Sequence, residues 1–234
     1  MDRARLVAHA SKWFSQDNQR DLHSRSPSRL RITKDSANLV VMNDTIKTIL
    51  SRRSVSRLSD PAPSSNELDI ILKAASSAPD HGSLRPFRFV VFQGEQKTRF
   101  AKVLVEALQN RASSKGSTPT EGQLRKENAK FERAPVIIAV AAKIDPYSKI
   151  LEIEQLLSAA AAVENLLLAA KSLNYGSMWR TGEATYDSYV KKAIGLEEND
   201  HIVAWVYLGT DSSMQNEPRD PSVADLVTYW TENT

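Results

Sequence analysis

The chain contains no cysteine among its 234 residues. This absence excludes disulfide bonds, thiolate catalysis and cysteine-ligated metal sites, and it leaves the redox compartment unmarked. Any redox chemistry would therefore require a bound cofactor.

Glycine is also scarce, with only eight residues. The sequence holds neither a G-x-G-x-x-G dinucleotide loop nor a Walker phosphate loop, and the G-x-S-x-G element of serine hydrolases is missing as well. A nucleotide-like cofactor would have to be held by side chains rather than by a glycine-rich turn.

The sequence predicts neither a metal site nor a membrane-spanning segment. The four histidines show no paired ligand spacing, so no metal site is predicted. The apolar run "QLLSAAAAV" ends at Glu164. This is well short of the roughly 18 to 20 residues that span a bilayer, so no membrane crossing is expected.

The net charge of +3 is unevenly distributed along the chain. Residues 1–40 hold eight Lys/Arg against four Asp, which leaves 23 basic and 24 acidic residues in 41–234. We predict a basic N-terminal arm over 1–40 and a globular domain over 41–234, with no nucleic-acid binding by the domain. The arm lacks the apolar core of a secretory signal and contains acidic residues, which transit peptides avoid, so a cytoplasmic location is expected.

Apolar periodicity predicts alternating helices and strands, with helices in excess and a sheet of about four or five strands. The helix over 149–173 is apolar on most sides, which indicates either a core helix or a dimer interface. Helices are predicted over 43–53, 64–79, 95–112, 123–132, 149–173 and 186–195, strands over 87–92, 135–143 and 201–210, and a short strand and turn over 175–182.

Three polar segments are candidates for a site. "SRRSVSRL" offers two arginines and a hydroxyl to a phosphate, or its arginines merely favour a helix C-terminus. "SAPDHGSLRPF" is either a site or an ordinary helix-to-strand turn. In "MWRTG" (178–182), Trp179 is either core or ligand-facing, and the turn that follows could present backbone amides.

Taken in order, "SRRSVSRLSDPAP", "ILKAASSAPDHGSLRPFRFVVF", "APVIIAVAAK", "YGSMWRTG" and "IVAWVYLGT" resemble the nitroreductase family of FMN-dependent oxidoreductases over about residues 42–212. The resemblance implies an α+β, nitroreductase-like fold with a central mixed sheet flanked by helices. It also implies a homodimer with FMN at the interface, contacted by both subunits.

The same resemblance implies which residues would contact FMN. Arg52, Arg53 and Ser54 would contact the phosphate, the ribityl chain and the pyrimidine edge, and Ser77 and His81 would contact the same flavin from the other subunit. Trp179, Arg180, Thr181 and Gly182 would lie beside the ring, and Gly209 and Thr210 would lie near the phosphate. No side chain is expected to be catalytic, because the flavin carries the hydride.

The implied activity is ping-pong transfer of hydride from NAD(P)H through FMN to a nitroaromatic, a quinone or a similar acceptor. Arg85 stands where many relatives carry other residues, and it either selects an acidic acceptor or NADPH, or forms a surface ion pair. Alternatives are a specialised flavin-dependent dehydrogenase of the same fold, or a non-catalytic flavin- or nucleic-acid-binding regulator that uses the basic arm.

Overall fold

The computed structural model describes residues 43–212 and 220–230. Short 3-10 turns cover His81–Ser83, Ala129–Arg133 and Glu183–Thr185. In chain order the longer elements are α1 (Asp44–Ser51), β1 (Leu58–Ser59), α2 (Ser65–Ser76), β2 (Phe87–Gln93), α3 (Glu95–Ser114), α4 (Glu121–Asn128), β3 (Val136–Ala142), α5 (Glu152–Ser172), β4 (Tyr175–Arg180), α6 (Ser188–Ala193) and β5 (His201–Asp211).

Polar caps fix where the first helices begin. The Asn43 side chain accepts a hydrogen bond from the Ile46 amide at the start of α1. Ser64 and Glu67 form a reciprocal capping box at the start of α2. Each cap satisfies amide donors that have no partner inside the helix, so the two helix starts follow directly from the sequence.

The sheet is organised around β5, the last strand in the chain. β5 pairs with β1 and β3 along one edge and with β4 along the other, and β2 continues the sheet beyond β3. Every strand pairing in the described part of the chain is antiparallel. β4 is therefore held in the sheet mainly by the second half of β5.

The two faces of the sheet have different cores. All seven residues of β3 are buried, as expected for a strand covered on both sides. On one face, α2 and α5 pack on an aliphatic layer that includes Ile71, Val163 and Leu166. On the other face, α3, α6 and the 3-10 turn at 129–133 enclose an aromatic cluster of Phe92, Phe100, Phe131, Trp205 and Tyr207.

α5 is long and apolar enough to cross a bilayer by length and composition alone. One of its faces packs against the sheet through Ala159, Ala162, Val163 and Leu166, all fully buried. Packing against the core therefore accounts for the apolar composition of this face, as expected of a core helix.

The α+β class and the five-stranded sheet confirm the sequence-based prediction. The expected mixed sheet is wrong in detail, because the parallel contact between Ser54 and Ser177 is an isolated bridge and not a strand pair. β1 was not predicted. The predicted arm over 1–40 lies outside the described residues and stays a prediction.

Candidate functional site

The two arginines that follow α1 both have partners within the chain. The Arg53 guanidinium donates through Nη1 to the carbonyls of Leu50 (2.7 Å) and Arg52 (2.8 Å). Arg52 Nε lies 3.6 Å from a carboxylate oxygen of Glu164 on α5. These contacts place Arg53 at the helix C-terminus, where a cation is favoured by the exposed carbonyls, and they fix both side chains against the body of the domain.

A small cavity opens between the end of α1 and the start of β4. The Val55 amide donates to the Ser177 carbonyl at 3.0 Å, which ties the "RRS" segment to β4. Arg52, Arg53, Lys171 and Asp211 line the cavity. Three cations and one carboxylate thus face the same space, so the cavity favours an anion.

Lys171 and Asp211 were not recognised in the sequence. Lys171 reads as a last-turn lysine that favours its own helix dipole, and Asp211 as the end of a strand. Only the antiparallel packing of β4 between α5 and β5 brings them beside the arginines. Neither residue carries a signal by sequence spacing.

Ser77 and His81 follow the C-terminal end of α2. The Ser77 hydroxyl donates to the Lys73 carbonyl at 2.9 Å, and His81 Nδ1 lies 3.4 Å from a carboxylate oxygen of Glu154. Glu154 and Glu164 are both on α5, ten residues apart, which corresponds to about 15 Å along a helix. His81 and Arg52 therefore occupy separate places along α5 within one chain.

The loop from Asp80 to Arg85 has an unusual backbone. Gly82, Ser83 and Arg85 have φ angles of 65°, 57° and 50°. The Asp80 carboxylate accepts a hydrogen bond from the Arg85 amide at 2.7 Å, which closes the loop. The exposed Arg85 side chain forms no salt bridge with any residue that the structure describes, so the surface ion pair considered for it is not observed there.

The end of β4 presents two different surfaces. The Trp179 indole donates to the Val203 carbonyl at 3.2 Å and leaves 37% of the residue exposed. The Arg180 guanidinium lies over the Tyr207 ring, 5.4 Å from its centroid, on the opposite face of the sheet. Any contact of Arg180 with a ligand on the Trp179 side would thus be made by its backbone.

The turn after β4 has free backbone donors. Thr181 and Gly182 are exposed, and within the described ranges neither amide has a hydrogen-bond partner. Gly182 has a φ of 143° with open space where a Cβ would stand. This backbone conformation is essentially restricted to glycine, so the turn can present its amides to a ligand without a side chain in the way.

Gly209 and Thr210 have local structural roles. A Cβ on Gly209 would lie 2.6 Å from Pro135 Cδ and 2.9 Å from the Ser59 carbonyl oxygen. The Thr210 hydroxyl donates to the Pro61 carbonyl at 2.7 Å. The absence of a side chain at 209 is explained by this close packing, and the ligand contacts expected of both residues stay predictions.

The structure thus brings Arg52, Arg53 and Ser54 beside the start of β4, and it places Thr181 and Gly182 just beyond its end. Tyr175, the first residue of β4, donates from its hydroxyl to Glu67 at 3.0 Å and so ties β4 to α2. Burial and the neighbouring Glu67 carboxylate both raise the pKa of Tyr175. β4 is the element that connects the cationic cavity to the free amides.

Known proteins resemble this chain over most of its length. The family model described as "Nitroreductase family" matches residues 49–210. The chain is 39% identical over 191 residues to "Putative NAD(P)H nitroreductase YdjA" of Escherichia coli K12, covering 80% of this chain and 100% of the relative. It is 34% identical over 188 residues to a "Putative NAD(P)H nitroreductase" of Haemophilus influenzae, covering 80% of this chain and 99% of the relative.

Solved structures show the same fold. A nitroreductase-like protein from Bacillus cereus superposes with a TM-score of 0.66 at 23% identity, over 82% of this chain and 99% of that one. A "putative nitroreductase" from Desulfovibrio desulfuricans, crystallised in complex with FMN, gives a TM-score of 0.61 at 26% identity, over 81% of this chain and 98% of that one. The chain belongs to the nitroreductase family.

Proposed function

We propose that the chain is an FMN-dependent oxidoreductase that takes electrons from NAD(P)H. The free amides of Thr181 and Gly182 beside β4, the second of them in a glycine-only conformation, are the structural observation that carries this proposal. Family membership, relatives named as NAD(P)H nitroreductases and a structural neighbour crystallised with FMN support it.

The residues present fit an FMN molecule in charge and in hydrogen bonding. Arg52, Arg53 and Lys171 face one cavity and would hold an anionic phosphate. The free amides of Thr181 and Gly182 would donate to acceptor atoms of the ring system, and Trp179 offers an exposed aromatic surface beside them. FMN carries hydrogen-bond acceptors and negative charge, and these residues supply the donors and cations that would bind them.

When bound, FMN supplies hydride transfer, which lets NAD(P)H and an acceptor such as a nitroaromatic or a quinone react in separate halves of a ping-pong cycle. This chain's residues supply binding and electrostatics. Donors and cations placed beside a bound flavin would stabilise negative charge on its reduced form and would therefore favour reduction.

We also propose that the active form is a homodimer. Ile153 and Leu157 on α5 are 57% and 60% exposed, and they share one helical stripe with Glu164 and Leu168. This stripe continues into a groove that α1 and α2 complete with the exposed side chains of Ile49 and Ile70. We call these five apolar residues, Ile49, Ile70, Ile153, Leu157 and Leu168, the α5 apolar face.

Four of these residues are exposed and Leu168 is half-buried, and an exposed apolar surface of this kind marks an interaction site. Arg52 contacts Glu164 on the same stripe of α5, so the cationic cavity lies beside the α5 apolar face. Ser77 lines the groove within that face. A second copy docked here would bring its own Ser77 and His81 close to the cavity, in keeping with a flavin contacted by both subunits.

The test is the flavin itself. The purified chain should be yellow, its flavin spectrum should bleach with NADH or NADPH in the absence of oxygen, and the colour should return when an acceptor is added. A colourless protein that takes up no added FMN would overturn the proposal.

A panel of nitroaromatics, quinones and pteridine-like acceptors then defines the reaction. Turnover of the first two classes supports a general reductase. Flavin reduction without turnover of either would favour a specialised dehydrogenase of the same fold.

A further inference from the structure

A second cavity lies behind β4, on the face of the sheet opposite Trp179. Its volume is about 60 Å³. It is bordered by β4, β5, α3 and the 3-10 turns at 129–133 and 183–185, and Thr181 and Gly182 of the turn after β4 also line it. The other polar residues in its wall are Lys130, Arg133, Arg180, Thr185, Trp205 and Tyr207.

Three polar atoms of this wall are buried without a hydrogen-bond partner in the described part of the chain. They are Arg180 Nε, Thr185 Oγ1 and Trp205 Nε1. Thr185 is only 3% exposed and Trp205 only 5%. Such atoms are rare in native proteins, and three around one cavity indicate a missing partner.

The chemistry of these atoms defines that partner. An indole nitrogen and a guanidinium nitrogen only donate, whereas a threonine hydroxyl can donate or accept. A ligand that carries several acceptor atoms and no donor would satisfy all three at once. A carboxylate or another small oxyanion meets this description.

The charge of the cavity agrees with an anion. Lys130 is neutralised by Glu127, whose carboxylate lies 2.6 Å from the lysine nitrogen. Neither Arg133 nor Arg180 forms a salt bridge with any residue in 43–212 or 220–230. Burial raises the pKa of Tyr207, while the charges of Arg180 and Arg133 oppose that rise, so both cations act on the same buried phenol.

The size of the cavity limits the ligand. A cavity of about 60 Å³ has room for a few water molecules. An apolar cavity that binds benzene measures about 150 Å³. The cavity is therefore well below the size that holds an aromatic ring, and because Thr181 and Gly182 also line it, it adjoins the proposed cofactor site.

We propose that this cavity is a binding site for a small oxyanion, of the size of formate or nitrate, held by Arg180, Thr185 and Trp205 with Arg133 at its rim. Because Arg180 leads directly into Thr181 and Gly182, an anion bound here would also fix the turn after β4. The proposal concerns side chains on the far face of the sheet, and although Thr181 and Gly182 line both this cavity and the proposed cofactor site, its test requires no flavin.

The experiment follows the Trp205 indole N–H by nitrogen-proton NMR on the full chain, dialysed free of small oxyanions. Sodium formate and sodium nitrate are titrated separately, and sodium chloride at equal ionic strength is the reference. Trp205→Phe assigns the signal. If that variant does not fold, Phe variants of Trp13, Trp179 and Trp230 assign it by elimination.

We expect a saturable shift of the Trp205 signal with formate or nitrate and a parallel rise in the thermal midpoint. Thr185→Val and Arg133→Gln should each weaken binding by about tenfold, the loss expected for one charge-assisted hydrogen bond or charge. Arg99→Gln, which removes an exposed arginine of α3 paired with Glu95, is the matched control and should leave binding unchanged.

Three outcomes would contradict the proposal. No saturable shift with either oxyanion would mean that the cavity holds only water, and it would overturn the proposal. An equal response to chloride would overturn the assignment to oxyanions. Unchanged affinity in both Thr185→Val and Arg133→Gln would show that the anion binds elsewhere.

Discussion

Trp179 and Arg180 are neighbours in β4, yet their side chains contact opposite faces of the sheet. The Trp179 indole donates to the Val203 carbonyl on the face of the sheet that α5 covers, whereas the Arg180 guanidinium lies over Tyr207 on the face that carries the aromatic cluster. Alternation along a strand makes this separation unavoidable. β4 therefore forms a wall of the proposed cofactor site on one face and a wall of the proposed oxyanion-binding cavity on the other.

Replacement of Gly182 should separate the role of its backbone in binding from general strain. Gly182→Ala forces a φ of 143° on an alanine, so we expect a loss of about 1–3 kcal/mol in the free energy of unfolding and weaker FMN retention. Gly195→Ala is the matched control, because Gly195 has a φ of 76° and open space around it at the end of α6. It should lose stability but keep its flavin, as judged by urea denaturation and flavin titration.

A charge placed on the α5 apolar face should dissociate the dimer. Leu157→Glu puts a carboxylate on a surface that a partner would bury, which is costly without a compensating cation. We expect the variant to sediment as a monomer and to retain less FMN. Lys102→Glu on α3, on the other face of the sheet, introduces the same side chain as a control. A wild-type chain that sediments as a monomer would contradict the proposed assembly.

Gly209→Ala tests whether packing alone accounts for this glycine. The new methyl group would lie 2.6 Å from Pro135 Cδ, so the β5 backbone must shift. We expect destabilisation by about 1–3 kcal/mol in urea unfolding, the usual cost of overpacking. FMN affinity of the folded fraction should stay close to that of the wild type. A selective loss of flavin at unchanged stability would instead assign Gly209 to the cofactor site.

The stability of α2 should depend on pH through Glu67. Hydrogen bonds from the Ser64 hydroxyl, the Ser64 amide and the Tyr175 hydroxyl lower the pKa of the Glu67 carboxyl. Because the folded-state pKa lies below the unfolded value, the ionised group stabilises the fold above the unfolded pKa. This contribution is lost as the pH falls through the folded pKa.

Urea midpoints measured from pH 7 down to pH 3 should therefore decline less steeply in Glu67→Gln than in the wild type. Glu132→Gln, an exposed change in the 3-10 turn at 129–133, serves as control and should follow the wild-type curve. Parallel curves for wild type and Glu67→Gln would refute the assignment.

Arg85 should affect the choice of acceptor. Its exposed side chain has no salt-bridge partner in the described ranges, so its charge is available to an acidic acceptor or to the phosphate of NADPH. Arg85→Ala should raise KM for a carboxylated nitroaromatic by about two- to fivefold, the size of an exposed ionic contact, and leave KM for its uncharged analogue unchanged. Arg99→Ala controls for the loss of surface charge. Equal KM changes for both acceptors would exclude a selective role.

Local signals in the sequence were sufficient for most of the fold. The capping residues Asn43 and Ser64 mark helix starts that the structure reproduces within a residue or two. The sequence predicted a strand over 135–143, and in the structure all seven residues of β3 are buried. β1 could not be predicted in this way, because its two residues are defined only by pairing with Thr210 and Asp211 at the far end of the chain.

The site was less accessible to such reasoning. Resemblance selected the segments around Arg53 and Thr181, but it could not show that Arg53 already bonds the carbonyls of its own helix. Nothing in the sequence indicated the proposed oxyanion-binding cavity behind β4. Its donors, Arg180, Thr185 and Trp205, come from three elements, and only the packed structure shows that they lack partners.

The central position of β5 has a consequence for how the chain is made. β2 and β3 can pair as soon as residue 142 has been synthesised, but the ladders of β1 and β4 both need residues 201–211. On the ribosome, most of the sheet therefore has to wait until nearly the whole polypeptide has emerged, and its closing contacts span long stretches of chain. A stalled or truncated product that ends before residue 201 would expose the aliphatic and aromatic layers together, which makes it a preferred client for chaperones and proteases.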